Sequence, residues 1–596
     1  MNYQNSQQLT IQQALSRAKK AGKKGKIADA VELYTAVLQH QPNHPIAKKR
    51  LRELQKKLPN NQAVQVATEN LSQGQINSLA NLYQSGQMIK TEQACRELLQ
   101  AYPQSLLVMN VLGSALRGQG KLQEAVQTYN RAIQLKPNVA DTYANRGNTL
   151  KDLGRLDEAL QNYDKAIQLK PDFAEAHSNL GVTLKELGRL KEAEASYRKA
   201  IALKPDYADA HNNLGITLQE LGRSKDAEAS LRQALALIPD YAVAHSNLGI
   251  TLKELGRLDE AVASCDKAIQ LKPDFAEAYT NRGVALKGLG RLNEAVASYD
   301  KAIQLHPNFY AAYYNRGDLL AEHALLDAEQ LRNAIDDFDR SKTSLGRART
   351  LELLYKVGRY DLFHERLSML PESDHTERRI AAISAFAADQ LDHDNPHLFC
   401  KNPLEFLHIN HVSGISGPFL NDLIEELKAR KAQWEPSGKT THSGFQTKSD
   451  LFVNPTQHIR QLEEIIKKEI RTYYAHFKSQ DCLFMSLWPK TLNLSGWFVR
   501  LLSQGYQGSH MHPAGWLSGV VYLEVPKFDE KDEGAIKFGL HGYDYPIAVK
   551  PSAEVIHQPK RGDIALFPSS LFHQTIPFNK DSERMVVAFD LRPDNP

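Results

Sequence analysis

Cysteine is scarce: four occur in 596 residues, Cys95, Cys265, Cys400 and Cys482. They lie far apart and form no CxxC pair. That argues against a disulfide framework or a zinc ribbon and fits a reducing compartment. Long apolar runs are also missing. None approaches the roughly 18 residues that a membrane helix needs. The Gln-rich stretch from Met1 to Ser16 has no apolar centre of the kind a secretory leader carries. The expectation is a soluble, cytoplasmic protein with no membrane partner. Charge of one sign is lacking too: 73 Lys plus Arg stand against 69 Asp plus Glu, a formal net charge of +4. Spread over a large surface, that is too weak to argue for nucleic acid as a partner. The length exceeds what one hydrophobic core supports, so several domains are expected.

What the chain does have is periodicity. Proline falls at Pro103, Pro137, Pro171, Pro205, Pro239, Pro273 and Pro307, in steps of 34 residues. The unit from Ala140 to Phe173 carries Tyr143, Gly147, Leu150, Gly154, Ala159, Tyr163, Ala166 and Pro171. The next repeats Gly181, Leu184, Gly188, Ala193, Tyr197, Ala200 and Pro205. This pattern resembles the tetratricopeptide (TPR) family over about residues 72 to 345. Its unit is a helix–turn–helix, and its stacked pairs form an α-solenoid with a long concave groove. Small residues such as Gly181 and Ala193 are expected where the helices of a pair approach closely, and Leu184 and Tyr197 where space between pairs must be filled. Gly154 and Gly188 are expected to end first helices, since glycine tolerates positive φ. Pro171 and Pro205 stop second helices. Lys19 to Leu58 looks like a further helical pair. After Pro307 the register slips: Ala334 arrives five residues late, so an insertion is expected near Leu325 to Gln330. Ala348 to Leu367 reads as a degenerate last pair.

Asn145, Asn179, Asn213, Asn247, Asn281 and Asn315 also recur at 34-residue spacing, on the first helix of each pair. These repeats resemble those of the O-linked N-acetylglucosamine transferases, in which such a ladder holds the backbone of an extended peptide. An amide side chain both donates and accepts, so a ladder can grip a peptide without reading its sequence. The alternative is local capping within the repeats. Either way, TPR arrays mostly bind proteins, so a protein or peptide partner is expected.

Tryptophan is confined to the last third, as Trp434, Trp488, Trp497 and Trp516, and there the period is gone. Helical character is expected from Glu377 to Gln390 and from His458 to Phe477, where Ile459, Leu462, Ile466, Ile470 and Tyr473 keep helical spacing. From Thr491 the pattern turns to strands: LNLSGWFVRLL, GWLSGVVYLEV, GAIKFGL, DIALFP, LFHQTIP and RMVVAFDLR. Short β-branched and aromatic runs between turn residues argue a closed or sandwiched antiparallel sheet.

His510-Met511-His512 precedes one such strand, and in an extended chain residues i and i+2 point the same way. Two imidazoles can therefore converge on one ion of iron, zinc or copper. His573 follows 61 residues after His512, and Arg584 eleven after that. HMHPAGWLSGVVYL, GDIALFPSSLFHQTIP and RMVVAFDL resemble, in order and spacing, the 2-oxoglutarate/iron(II)-dependent oxygenases. The nearest likeness is to a subgroup with an HxHP motif, over about residues 400 to 596; GFQTKSDLF matches that subgroup's entry segment. The resemblance implies a double-stranded β-helix (jelly roll), a dioxygenase that hydroxylates its substrate, and Fe(II), 2-oxoglutarate and O2 as its needs. It implies that His510, His512 and His573 hold iron and that Arg584 meets the far carboxylate of 2-oxoglutarate, with Tyr522 a second donor if it points inward. An arginine fork suits a carboxylate.

Two positions depart from the family pattern. His512 stands where an aspartate is usual, and Val586 where a Ser or Thr usually follows the arginine. Two other readings stay open: a cupin-like three-histidine metalloenzyme without 2-oxoglutarate, and a TPR scaffold whose barrel is catalytically idle. The cupin reading wants a glutamate soon after the HxH pair, and the next is Glu524. An arginine opening a final strand can also simply pair with a surface carboxylate. His541 and His557 read as structural. The expected organisation is a TPR-like segment at 1–71, the array at 72–345, a helical cap and linker at 346–399 and the barrel at 400–596.

Overall fold

A computed structural model describes residues 11–23, 30, 33–34, 37–38, 44–55, 71–322, 328–412, 415, 417–436, 439–449, 451–453, 455–527 and 530–594. The chain divides into two compact units, Met1–Pro273 and Asp274–Pro596. No described helix is long and apolar enough to cross a membrane.

The first unit is helical. Of the pair expected over Lys19 to Leu58, residues 24–29, 31–32, 35–36, 39–43 and 56–58 lie outside the described residues. The rest buries Tyr34 and Val37 with Ala14, Ala18 and Ala47. From Gln73 the helices pair regularly, as Ala174–Glu186 does with Leu190–Leu203. Gly154 and Gly188, at φ +74° and +72°, turn the chain from the first helix into the second. A Cβ on Gly181 would sit 2.8 Å from the Tyr197 ring, and one on Gly147 equally near Tyr163. Tyr197 therefore fills the contact inside its own pair, not only the space between pairs as its size suggests. Leu184 does join pairs, clustering with Leu160 and Leu214.

The second unit opens with repeats, through Ala276–Gly288, Leu292–Leu305, Tyr310–Ala321 and Ala328–Ser341. Ala334 is fully buried beside Phe338, as the shifted register requires; residues 325–327 of the expected insertion lie outside the described residues. Ser344–Lys356 and Tyr360–Ser368 form the degenerate pair, and Arg378–Leu391 follows.

The strands are β1 His408–His411, β2 Gln433–Trp434, β3 Thr441–Gln446, β4 Leu494–Gln507, β5 Leu517–Glu524, β6 Ile536–Gly539, β7 Glu554–His557, β8 Asp563–Pro568, β9 Phe572–Thr575 and β10 Arg584–Leu591. They make two antiparallel sheets, β1-β8-β5-β10-β4-β3-β2 and β7-β6-β9, a jelly-roll arrangement. Successive side chains alternate faces. On β10, Val587, Phe589 and Leu591 join a core with the helices Gly417–Lys428 and Gln457–Phe477. Val586 and Ala588 face the other way, into a core shared with Ile536 and Phe538 of β6 and Phe572 of β9. That second core also takes in Leu351, Tyr355, Ile383 and Phe386 from the helices before the barrel. Glu352 ties this junction. It pairs with Arg379 and accepts from the Tyr545 hydroxyl at 3.2 Å.

Candidate metal centre

The site begins with a backbone pairing. His510 and His573 lie opposite each other in an antiparallel bridge, exchanging N–H···O bonds of 3.1 and 2.9 Å. The His512 amide continues the pairing by donating to Ser569 O at 3.0 Å. The two segments thus bring three imidazoles to one place. Ring centroids are 4.2 Å apart for His510–His573, 5.1 Å for His510–His512 and 5.0 Å for His512–His573. One nitrogen from each ring lies within 4.8 Å of the others.

The second nitrogens are all occupied. His510 Nδ1 lies 2.7 Å from Gly508 O, His573 Nδ1 lies 3.4 Å from Leu571 O, and His512 Nδ1 lies 2.5 Å from Asp590 Oδ1. Carbonyl and carboxylate oxygens only accept, so each Nδ1 carries the proton and each Nε2 keeps its lone pair. Burial favours the neutral form of His510 and His573. It pushes His510 down to about 3, helped by the neighbouring His512, and holds His573 well below the ordinary range, helped by both other histidines. Three imidazole donors at this spacing fit a first-row transition metal.

The same cavity is lined by Trp497, Gln507, Phe567, Thr575, Val586 and Arg584. Arg584 is not the surface partner that an opening strand residue can be: it is 2% exposed. Its Nη1 lies 3.5 Å from Thr575 Oγ1, and its guanidinium stands 5.1 Å from the centre of the Tyr522 ring. Tyr522 is fully buried. Arg584 Nε and the Tyr522 hydroxyl both lack a hydrogen-bond partner. Burial pushes the Tyr522 phenol up to about 12, so it remains a donor. A buried guanidinium beside an idle hydroxyl is costly unless an anion completes it. The residues present therefore fit both a metal and a carboxylate ligand.

Asp590, Thr575, Trp497 and Gln507 did not stand out in the sequence. Asp590 carried one faint signal, since it shares the alternation that turns Arg584 inward. His541 and His557 make structural bonds, to Tyr545 O at 2.7 Å and Asp563 Oδ2 at 3.2 Å. All six ladder asparagines are half-buried. Asn179 donates to Asn148 Oδ1 at 3.0 Å, and Asn247 to Asn212 Oδ1 at 2.9 Å.

Comparison with known proteins finds matches for the repeats and for the histidine-bearing domain. Residues 113–154, 147–188, 183–222 and 251–290 match a TPR-repeat family, and 208–241 and 276–309 match two further tetratricopeptide families. Residues 495–590 match the family described as "Putative 2OG-Fe(II) oxygenase". The chain is a tetratricopeptide-repeat protein with a C-terminal domain of this oxygenase family. All the strands from β4 to β10, and with them the three histidines and Arg584, fall within the matched region or end one residue beyond it. No curated protein matches the chain. Among solved structures, the TPR protein YrrB is 29% identical over 31% of this chain and 96% of its own, with a TM-score of 0.27. MamA is 30% identical over 28% of this chain and 92% of its own, with a TM-score of 0.26. A TPR protein from Parabacteroides merdae is 20% identical over 41% of this chain and 97% of its own, with a TM-score of 0.35.

Proposed function

We propose that the C-terminal domain is an iron(II)- and 2-oxoglutarate-dependent dioxygenase, a hydroxylase, whose substrate or partner is a protein or peptide held by the TPR array. The observation that carries the reading is the buried Arg584, which lines the same cavity as the three histidines and has no carboxylate partner among the described residues. His510, His512 and His573 hold the metal through Nε2. Arg584 takes the far carboxylate of 2-oxoglutarate, with the Tyr522 hydroxyl as a second donor. Thr575, beside Arg584 on β9, supplies the hydroxyl that Val586 lacks. When bound, the metal, 2-oxoglutarate and O2 supply the oxidising chemistry at a C–H bond. Trp497 and Phe567 wall the cavity and limit water around the co-substrate.

The array's contribution rests on its repeats and on six half-buried amides at one position of successive first helices, Asn145, Asn179, Asn213, Asn247, Asn281 and Asn315. The division at 1–71, 72–345, 346–399 and 400–596 belongs to this reading. Four free cysteines, three of them buried, support a reducing, cytoplasmic setting.

The test is turnover. The metal-free full chain is loaded with Fe(II) without oxygen, given 2-oxoglutarate, then exposed to O2. Succinate is expected from the wild type and not from His573→Ala. Metal bound without any binding of 2-oxoglutarate would move the assignment to the cupin-like reading. A chain that retains no metal would leave a TPR scaffold with an idle barrel.

A further inference from the structure

The candidate ligand set is three imidazoles, so it lacks an anionic ligand that would offset part of a divalent charge. The structure puts a carboxylate one bond further out. Asp590 Oδ1 accepts from His512 Nδ1 at 2.5 Å and from Ser518 Oγ at 2.8 Å. Asp590 is 6% exposed, and among the described residues its one ion pair is with His512. A buried carboxylate is expensive unless a positive charge compensates it. Among the described residues no Lys or Arg pairs with it. The surroundings are shaped to hold it. Ser518 Oγ lies 2.8 Å from Ser569 Oγ, and a Cβ on Gly515 would fall 2.5 Å from that Ser569 oxygen and 3.1 Å from Asp590 Cγ.

We propose that Asp590 is the positioning residue that lets a histidine serve at position 512. It fixes the proton on Nδ1, aims Nε2 at the centre, and lends through the imidazole the negative charge that a carboxylate ligand would have given directly. The charge lies behind the ligand, so the pair His512–Asp590 does the work of one aspartate. The inference rests on the reading of the three histidines as a metal centre.

The test is titration of the metal-free full chain with Co(II), followed by visible absorption, with no turnover involved. Asp590→Asn is expected to weaken Co(II) binding by about 10- to 100-fold and to shift the absorption at saturation. In a chain that already carries His512→Asp, the sign should invert. Two carboxylates then crowd one another, and adding Asp590→Asn strengthens binding. A purely structural Asp590 would give the same sign in both settings and leave the saturated spectrum unmoved. Should Asp590→Asn not fold, Asp590→Ser serves the same comparison. Should His512→Asp hold no Co(II) at all, the wild-type comparison decides. Affinity and saturated spectrum unchanged by Asp590→Asn, in a wild type that does bind Co(II), overturn this inference alone. A wild type that binds no Co(II) overturns the metal reading and this proposal with it.

Discussion

Arg584 and Asp590 stand six residues apart on the inward face of β10, one at each end of the strand. Arg584 lines the cavity without a carboxylate partner, and Asp590 holds the ring of His512. One strand thereby serves both halves of the proposed centre, the co-substrate anchor and the support of a metal ligand. Val586 and Ala588 fill the interval between them on the same face. A register slip of one residue would turn both functional side chains out of the cavity together.

Thr575 should matter because Val586 cannot donate. Thr575→Val removes the hydroxyl beside Arg584 and keeps the volume. The expected result is a rise in the KM for 2-oxoglutarate of about 3- to 10-fold, the worth of one ordinary hydrogen bond, with metal affinity unchanged. Succinate formation against 2-oxoglutarate concentration measures it.

Acid should destabilise the metal-free chain in a defined direction. Burial lowers His510 to about 3 and His397 to about 4, and holds His573 well below the ordinary range. These rings are neutral in the folded chain and charge more readily when unfolded, near an ordinary pKa of about 6.5. Stability is therefore fully present above that value and falls as pH drops from about 6.5 toward 3. Melting with a chelator present, followed by tryptophan fluorescence, should show this slope, and His510→Asn should flatten it. All four tryptophans lie between 434 and 516, so the signal reports the C-terminal region.

The junction before the barrel should be sensitive to one carboxylate. Glu352 is 2% exposed, pairs with Arg379 and Arg349, and accepts from the Tyr545 hydroxyl. Glu352→Gln keeps the shape and an acceptor but leaves the Arg379 guanidinium uncompensated, while Arg349 keeps Asp318 at 2.8 Å. A loss of about 3 kcal/mol is expected, the low end for breaking a buried pair because both arginines are partly exposed. The same fluorescence melt reads it, and a change under about 0.5 kcal/mol would contradict it.

Much of this was legible in the residues. The 34-residue period gave the helix pairs because each repeat places its turn glycine and its stop proline at fixed positions, as at Gly188 and Pro205. The three histidines were visible because an i, i+2 pair on extended backbone needs only a distal partner. What stayed hidden depends on which strands become neighbours. Asp590 meets His512 across 78 residues, and Thr575 meets Arg584 only because β9 and β10 line one cavity. β1, β2, β3 and β7 escaped notice because none shows an apolar alternation long enough to register, as HINH and THSGFQ illustrate. Tyr197 packs both between pairs and inside its own. Its size suggested the gap between pairs, whereas the missing side chain of Gly181 opens a slot inside the pair.

The most direct test of the central claim is anaerobic titration of the Fe(II)-loaded full chain with 2-oxoglutarate, wild type beside Arg584→Ala. Both should hold one equivalent of iron, since Arg584 touches none of the histidines. The wild type should bind 2-oxoglutarate, and Arg584→Ala should bind it about 10- to 100-fold more weakly, as loss of a charged hydrogen-bonding partner implies. Equal 2-oxoglutarate affinity in the two chains, or no binding to the iron-loaded wild type, would contradict the account.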